Sequence, residues 1–435
     1  MKQLLTQEVS LKMENDYTKI AKQLEEHGTV QGLMQYINYD SIKKQHDKQI
    51  RNKATGIDDI NKTTYEKELK DNIEQLIQEM KMFSYKPMPV RRVYIPKTGS
   101  DKLRPLGIPA YRDKIVQGAF AEVLNEIYEK IFLKYSFGFR PNLSCHDAIK
   151  ELDKTIKYKR VNYIVDADIK GFFDNINHEW MIKFLKHVIQ DKHFIRYINR
   201  FLISGIMEEG KKLESDKGAP QGGLISPILA NVYLHYVLDL WIEKDIKKRY
   251  KGEVHEIRYA DDFVVCFEYK CEAEQFYNEL EERLKKFNLE LEESKSRIIE
   301  FGKTSYGNKE TFDFLGFTHI NGKTRTGKYK VVHKTSKKKL KAKKIIAKQW
   351  IKENMHKPIK DIIYKLNIKL IGHYRYYGIS DNSNKLVEFM RYIVRTLFKQ
   401  LRKRSQKHRL TWDKYLRIIK YNPIVQPKIY FSLYN

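Results

Sequence analysis

The stretch Ile257 to Phe267, IRYADDFVVCF, is the part of the chain that decides how the rest is read. Two runs rich in β-branched and aromatic residues flank the acidic pair Asp261 and Asp262, a pattern that reads as a β-hairpin with carboxylates at its turn. About ninety residues earlier, YIVDADI (Tyr163 to Ile169) is another short β-rich run, and it closes on Asp168. Alone, an Asp-Asp pair is more often a turn or cap than a site. Carboxylates at the ends of rigid strands are also hard oxygen donors of the kind Mg²⁺ takes. Two such ions about 3.5–4 Å apart are the usual apparatus of nucleotidyl transfer.

Working outward, Val90 to Pro109 reads as strand, turn and strand. From Arg112 to Phe132, apolar residues at Ile115, Ala119, Val123, Ile127 and Ile131 predict an amphipathic helix. Helices are also expected over Tyr65 to Met82 and Glu272 to Phe287, with a short strand near Leu289 and Leu291. Leu224 to Trp241 is the most apolar stretch. It is interrupted by Pro227, Asn231, His235 and Asp239, which predicts a buried helix rather than a membrane span. After about Lys334 the pattern is helical only. Leu386, Phe389, Met390, Ile393, Val394, Leu397, Phe398 and Leu401 share one face, opposite Arg391, Arg395, Lys399 and Arg402.

Charge narrows the partner. The 435 residues carry 83 Lys+Arg against 55 Asp+Glu, a formal net charge of +28, which opposes compaction unless a polyanion is bound. The excess is local: residues 321–350 hold twelve Lys or Arg and 391–410 hold eight, with no acid in either stretch. Nucleic acid is the leading partner and an anionic membrane surface the second. Cys145, Cys266 and Cys271 form no CxxC pair or disulfide framework, so a reducing compartment fits. Met1 to Ser10 has no signal-peptide pattern, and a cytoplasmic location is expected.

In chain order stand RRVYIPKTGSDKLRPLGIP, FGFRPNLSCHDAI, DADIKGFFDNINHE, GAPQGGLISPILANVYL, RYADDFVVCF, LELEESKS and FDFLGF. This ordered set resembles the reverse transcriptases, and among them those encoded by bacterial group II introns, over roughly residues 50–420. The resemblance implies an α/β right-hand polymerase (fingers, palm) followed by an all-α basic thumb/maturase domain. The expected divisions are 1–110 for an N-terminal extension and fingers, 111–318 for fingers and palm with the catalytic carboxylates, and 319–435 for a helical RNA-binding thumb.

Carried over residue by residue, the resemblance makes Asp168, Asp261 and Asp262 the catalytic carboxylates and ligands of two Mg²⁺ ions, with the Ile169 carbonyl a further oxygen. Phe173 matches the aromatic gate that rejects a ribose 2′-hydroxyl, with neighbouring Phe172 in the core. Gln221 matches the residue packed against the incoming nucleotide. Lys97 and Arg104 match the cations that grip its triphosphate, and Lys295 a lysine that protonates departing pyrophosphate. Phe314, Leu315, Gly316 and Phe317 match the primer grip, although FLGF as bare sequence reads as a buried strand. LIGHYRYYGISDN (Leu370 to Asn382) resembles the maturase region. There His373 and Arg375, with Lys337, Lys338 and Lys341, are expected to contact RNA, and some of Tyr374, Tyr376 and Tyr377 to pack inside.

The implied reaction is copying of an RNA template into cDNA from a DNA primer and dNTPs, together with binding of a parent intron RNA to assist splicing; dimerisation is left open. Unlike many relatives, the sequence carries no paired cysteines of a zinc-dependent C-terminal endonuclease. Two other readings compete: a non-catalytic RNA-binding splicing factor, and a reverse transcriptase recruited to phage defence, spacer acquisition or templated diversification. The three carboxylates weigh against the first, and the maturase-like region against the second.

Overall fold

The computed structural model describes residues 17–434 apart from 97–102, 209–210, 214–216, 219–221, 306, 308–309 and 405–409. Its centre is a four-stranded sheet of order β6-β7-β3-β8, made by β3 (Tyr163–Ala167), β6 (Val254–Tyr259), β7 (Asp262–Phe267) and β8 (Arg297–Glu300). All its pairings are antiparallel, with Ala167 opposite Phe263 and Asp166 opposite Arg297.

Because side chains alternate along a strand, the apolar runs seen in the sequence split between two faces. Ile164, Val264, Cys266, Ile257 and Ile299 share a cluster with Ala148, Leu152 and Ile156 of the helix Cys145–Tyr158. Val165, Phe263, Val265 and Phe267 face the other way, with Phe276, Leu280 and Leu284 of the helix Lys270–Lys286. Both faces are covered, which is why the strands read as continuous apolar runs. Each Leu, Ile or Phe so buried contributes ~1.5–3 kcal/mol. The helix Cys145–Tyr158 starts where it does because Ser144 and Asp147 form a capping box, the Ser144 amide donating to the Asp147 carboxylate at 2.8 Å.

Two smaller sheets flank this core. β1 (Val90–Pro96) and β2 (Leu103–Ile108) form the antiparallel pair expected for Val90 to Pro109, joined in parallel to β4 (Ile206–Glu208), which pairs with β5 (Lys211–Leu213). β9 (Thr311–Phe314), β10 (Phe317–Lys323) and β11 (Tyr329–Thr335) make a meander whose Phe312, Phe314 and Val331 pack onto the first face of the central sheet. Leu315 and Gly316 form the β9–β10 turn, both at positive φ (50° and 81°), a primed turn that suits the twist of a two-residue hairpin.

Helix Tyr111–Tyr128 matches its expected span closely, and Leu69–Lys81 is the main helix within Tyr65–Met82. No strand forms near Leu289: only Leu291 pairs, as an isolated bridge to Ile169. The apolar stretch from Ser226 begins as a buried helix and continues through two π-helical turns, His235–Asp239 and Ile242–Ile246. Among the described residues no helix is long and apolar enough to cross a membrane.

Among the described residues four further helices follow β11: Lys337–Asn354, Ile359–Tyr377, Ser383–Leu401 and Trp412–Tyr421. They have a core of their own, in which Leu386, Phe389, Ile393, Leu397 and Leu401 from the expected face are buried. Ile149 of the Cys145–Tyr158 helix reaches into it. The segment beyond Tyr421 departs from the all-helical expectation. Tyr430 and Phe431 both donate their amides to the Gly378 carbonyl, and the Phe431 ring stacks on His146 at 5.1 Å.

Candidate active site

The hairpin predicted at IRYADDFVVCF is β6 and β7, and its register sets Tyr259 opposite Asp262. Ala260 and Asp261 are therefore a two-residue turn. Ala260 sits at φ 57°, unusual for a residue with a side chain. Gly138 presses on this turn from outside: a Cβ there would lie 2.2 Å from the Ala260 nitrogen. From beneath, the buried Arg258 donates to the Ala260 carbonyl at 3.0 Å.

Asp168 follows β3 directly, beside the start of β7. Its amide donates to the Ser296 hydroxyl oxygen at 3.2 Å, and its carbonyl accepts from the Glu292 amide at 2.7 Å. The loop Glu292–Ser296 thus fixes Asp168 and delivers Lys295, whose ammonium pairs with the Asp168 carboxylate. Burial opposes that ammonium's charge, but Asp168 and Glu292 outweigh it and hold the Lys295 pKa above its usual range.

Asp262 opens into the cleft, yet the protein around it strips hydration, and Asp261 and Asp168 add negative charge. Its pKa is pushed up to about 6, against the opposing charges of Lys339 and Lys295. Asp166, one turn of the pleat behind Asp168, is pushed up to about 7, first by burial and then by Asp262, Asp313 and Asp168, with Arg297 opposing.

A hard carboxylate raised in part by two neighbouring carboxylates marks a donor set short of positive charge, and a divalent cation would supply it. Among the described residues no three acidic, His or Cys side chains already close around one point. Lys295 at present provides the counter-charge on Asp168. The chemistry of the set fits a metal, and Lys295 pairs with one of the two Asp168 oxygens. Ile169 has a buried side chain, and its backbone is bridged to Leu291.

The remaining candidates are unevenly placed. Phe172 is buried against Tyr233, whereas Phe173 is half-buried. Arg104 is exposed on β2, opposite Ile95 of β1. Lys97 and Gln221 lie outside the described residues. Gly222, next to Gln221, leaves no room for a Cβ, which would stand 2.4 Å from the Gly107 carbonyl of β2. That contact joins the glycine-rich loop to the Val90–Ile108 hairpin. Phe314 and Phe317 are buried, so only the Leu315–Gly316 turn is presented, with the Leu315 carbonyl accepting from the Tyr376 hydroxyl at 3.0 Å.

Lys337, Lys338, Lys341 and Arg375 are exposed. His373 is not a surface contact. It is buried with its ring 4.2 Å from Phe389 and 4.8 Å from Tyr377, and burial lowers its pKa to about 4. Tyr374 and Tyr377 are buried with it, while Tyr376 is partly exposed.

A family model described as reverse transcriptase (RNA-dependent DNA polymerase) matches residues 95–319, just over half of the chain. The chain belongs to this family. The match contains all three carboxylates of the cleft, both glycines that press on neighbouring backbone, and the Glu292–Ser296 loop.

Relatives of this chain include the group II intron-encoded protein LtrA of Lactococcus lactis subsp. cremoris, 42% identical over 179 residues, or 40% of this chain and 30% of that protein. An uncharacterized 91 kDa protein in the cob intron of Schizosaccharomyces pombe is 39% identical, covering 44% of this chain and 23% of the other. Protein YkfC of Escherichia coli (strain K12) is 31% identical over 64% of this chain and 78% of its own length. The chain thus spans under a third of the two intron-associated relatives and most of YkfC.

Sequence reasoning missed several residues that shape this cleft: Gly138, Asn231, Asp239, Arg258, Asp166 and Lys339. Asp166 had a signal, since it is a charged residue inside the otherwise apolar β3, where a charge persists only with a partner.

Proposed function

We propose that the chain is an RNA-directed DNA polymerase. The observation that carries this reading is the meeting of Asp168, at the end of β3, with Asp261 and Asp262, at the β6–β7 turn, from segments about ninety residues apart. The central sheet with its covering helices serves as the palm. The hairpin Val90–Ile108 is part of the fingers, and the helices after Lys337 form the thumb.

Asp168, Asp261 and Asp262, with the Ile169 carbonyl, would hold two Mg²⁺ ions. When bound, these activate the primer 3′-hydroxyl and neutralise the departing pyrophosphate. The 3′-oxygen attacks the α-phosphorus of the dNTP, the α–β bridging bond breaks, and the hydroxyl proton passes to solvent. Lys295, kept protonated by its carboxylate neighbours, supplies a proton to the pyrophosphate. Phe173, half-exposed beside buried Phe172, closes the space a 2′-hydroxyl would need. Arg104 on β2, with Lys97 and Gln221, holds the triphosphate and base, and the Leu315–Gly316 turn orients the primer end.

The intron association of the relatives supports a second role, binding of a parent intron RNA to assist splicing and mobility. The exposed row Lys337, Lys338 and Lys341 and Arg375 are the proposed phosphate contacts.

Extension of a DNA primer on an RNA template with dNTPs and Mg²⁺ tests the reading, comparing wild type with Asp261→Asn. The expected result is extension by wild type, abolished by the substitution and by chelation. A well-folded wild type that binds RNA tightly without extending the primer would overturn the enzymatic reading in favour of a splicing factor.

A further inference from the structure

Three residues before Asp261, Arg258 is the largest side chain without solvent exposure among the described residues, at 0%. All three nitrogens of its guanidinium donate. Nε and Nη2 donate to the two oxygens of Asp239, each at 2.6 Å, and Nη1 donates to Asn231 Oδ1 and to the Ala260 carbonyl, both at 3.0 Å. Asp239 is 1% exposed and Asn231 0%. Asn231 then spends its amide nitrogen on the Gly138 carbonyl at 2.6 Å. The backbone of Arg258 is held as well, its amide donating to the Tyr135 carbonyl at 2.9 Å and its carbonyl accepting from the Phe137 amide at 2.8 Å.

This arrangement is costly for stability alone. A buried ion pair is commonly no better than well-packed apolar residues of similar volume. Glu256 is also buried, with burial and then Asp239 pushing its pKa well up, but its Oε1 lies 4.0 Å from Arg258 Nε, so Asp239 at 2.6 Å is the closer counter-charge. What an apolar side chain could not do is hold a backbone carbonyl. The carbonyl held is that of Ala260, the residue at positive φ immediately before Asp261.

The partner is also placed by an irregularity. Asp239 ends the π-helical turn His235–Asp239. Such a turn carries one residue more than an α-turn and so rotates the rest of the helix by roughly 100°. The same helix therefore presents Asn231 and Asp239 to one guanidinium.

We propose that Arg258, clamped by Asp239 and Asn231, is a positioning residue: it holds the Ala260 carbonyl and so fixes the direction in which Asp261 leaves the turn. The proposal rests on the polymerase reading above, and it assigns a role to residues that touch neither substrate nor metal.

The test uses the full chain in the primer-extension assay, with Mg²⁺ and dNTP concentrations varied. The double variant Arg258→Met with Asp239→Leu removes both charges together, so that neither is left buried alone. The expected result is a cooperative melt near that of wild type, an unchanged KM for dNTP and a kcat lower by roughly 100-fold, the scale of a misplaced catalytic group. The Mg²⁺ concentration for half-maximal rate should rise. A residue that only supported the fold would reduce the melting temperature and leave that Mg²⁺ requirement alone.

Arg258→Lys is the second variant and carries the test if the double variant does not fold. An ammonium lacks the planar fork that bonds both Asp239 oxygens and the Ala260 carbonyl together, so the same fall in kcat and rise in Mg²⁺ requirement are expected. Wild-type kcat and Mg²⁺ requirement in either folded variant would overturn the positioning role alone. Absence of extension by wild type would overturn both readings.

Discussion

Replacing Gly138 by Ala adds one methyl group against the turn that carries Asp261. Built on the present backbone, that carbon lies 2.2 Å from the Ala260 nitrogen, 2.8 Å from the Tyr259 carbonyl carbon and 2.9 Å from Ala260 Cα. Every contact is backbone, so no side chain can swing aside. Restoring an ordinary separation of about 3.5 Å requires a relative shift of about 1.3 Å. Overpacking of this kind costs ~1–3 kcal/mol in stability, which a chain of this size shows as a few degrees in Tm. The effect on rate is expected to be larger, because a displacement of about 1 Å at a reacting centre can cost ~10²-fold. Steady-state primer extension with a parallel thermal melt separates the two effects. Gly372→Ala is the control, since a Cβ there meets nothing within 4 Å, and an Ala in a helix is favoured over Gly by ~1 kcal/mol. Gly138→Ala protein that melts normally and extends primer within about twofold of wild type would refute the reasoning, since the predicted displacement is worth ~10²-fold.

Three further outcomes are expected. Phe173→Ala should admit ribonucleotides, read as a rise in the ratio of rNTP to dNTP incorporation; an unchanged ratio removes Phe173 as the gate. Neutralising Lys337, Lys338 and Lys341 to Gln should weaken RNA binding and flatten the plot of log affinity against log salt by up to about 2–3, at roughly 0.7–0.9 per lost phosphate contact. A slope equal to wild type would take that helix out of the interface. Asp262→Asn should stabilise the metal-free protein in a pH-dependent way. The Asp262 carboxyl has a folded pKa of about 6, above its ordinary 3.8, so its contribution is fully present below 3.8 and lost as pH rises through 6. The Asn variant should therefore match wild type near pH 4 and exceed it by ~1 kcal/mol above pH 7, the shift being discounted because the side chain is open to solvent. Melting curves across that range check it, and an advantage independent of pH would contradict the charge argument.

The β6–β7 hairpin and β3 were legible because short β-rich runs around acidic residues have one economical reading, and the register delivered it. The β1–β2 pair and the helix from Tyr111 were legible for similar local reasons. The strand expected near Leu289 was not formed, because two leucines without further pairing supply only the bridge from Leu291 to Ile169. His373 illustrates a different failure. With Leu366, Leu370 and Tyr377 it falls at i, i+4, i+7 and i+11 on one helix face, so the same periodicity that found the Leu386–Leu401 face predicts its burial. Its place in a motif drew it toward the surface instead. Asp239 could not have been read at all. In the sequence it is one polar interruption of an apolar stretch, and its meaning depends on a π-turn and on an arginine nineteen residues away.

The return of residues 424–434 to Gly378 and His146 has a consequence for how the chain is made. The segments that build the carboxylate cleft, from Gly138 through Ser296, leave the ribosome well before Phe431 does. The cleft can therefore close while the Cys145–Tyr158 helix still shows His146 and Ile149 to water. Only once residues 424–434 have emerged can Phe431 cover His146 and Tyr434 settle over Lys157 and Lys330. During synthesis this strip stays exposed until that segment arrives, bringing Ile424 and Leu433 to the core of the C-terminal helices as well. It is there that a nascent chain would be most vulnerable to proteases and most in need of a chaperone.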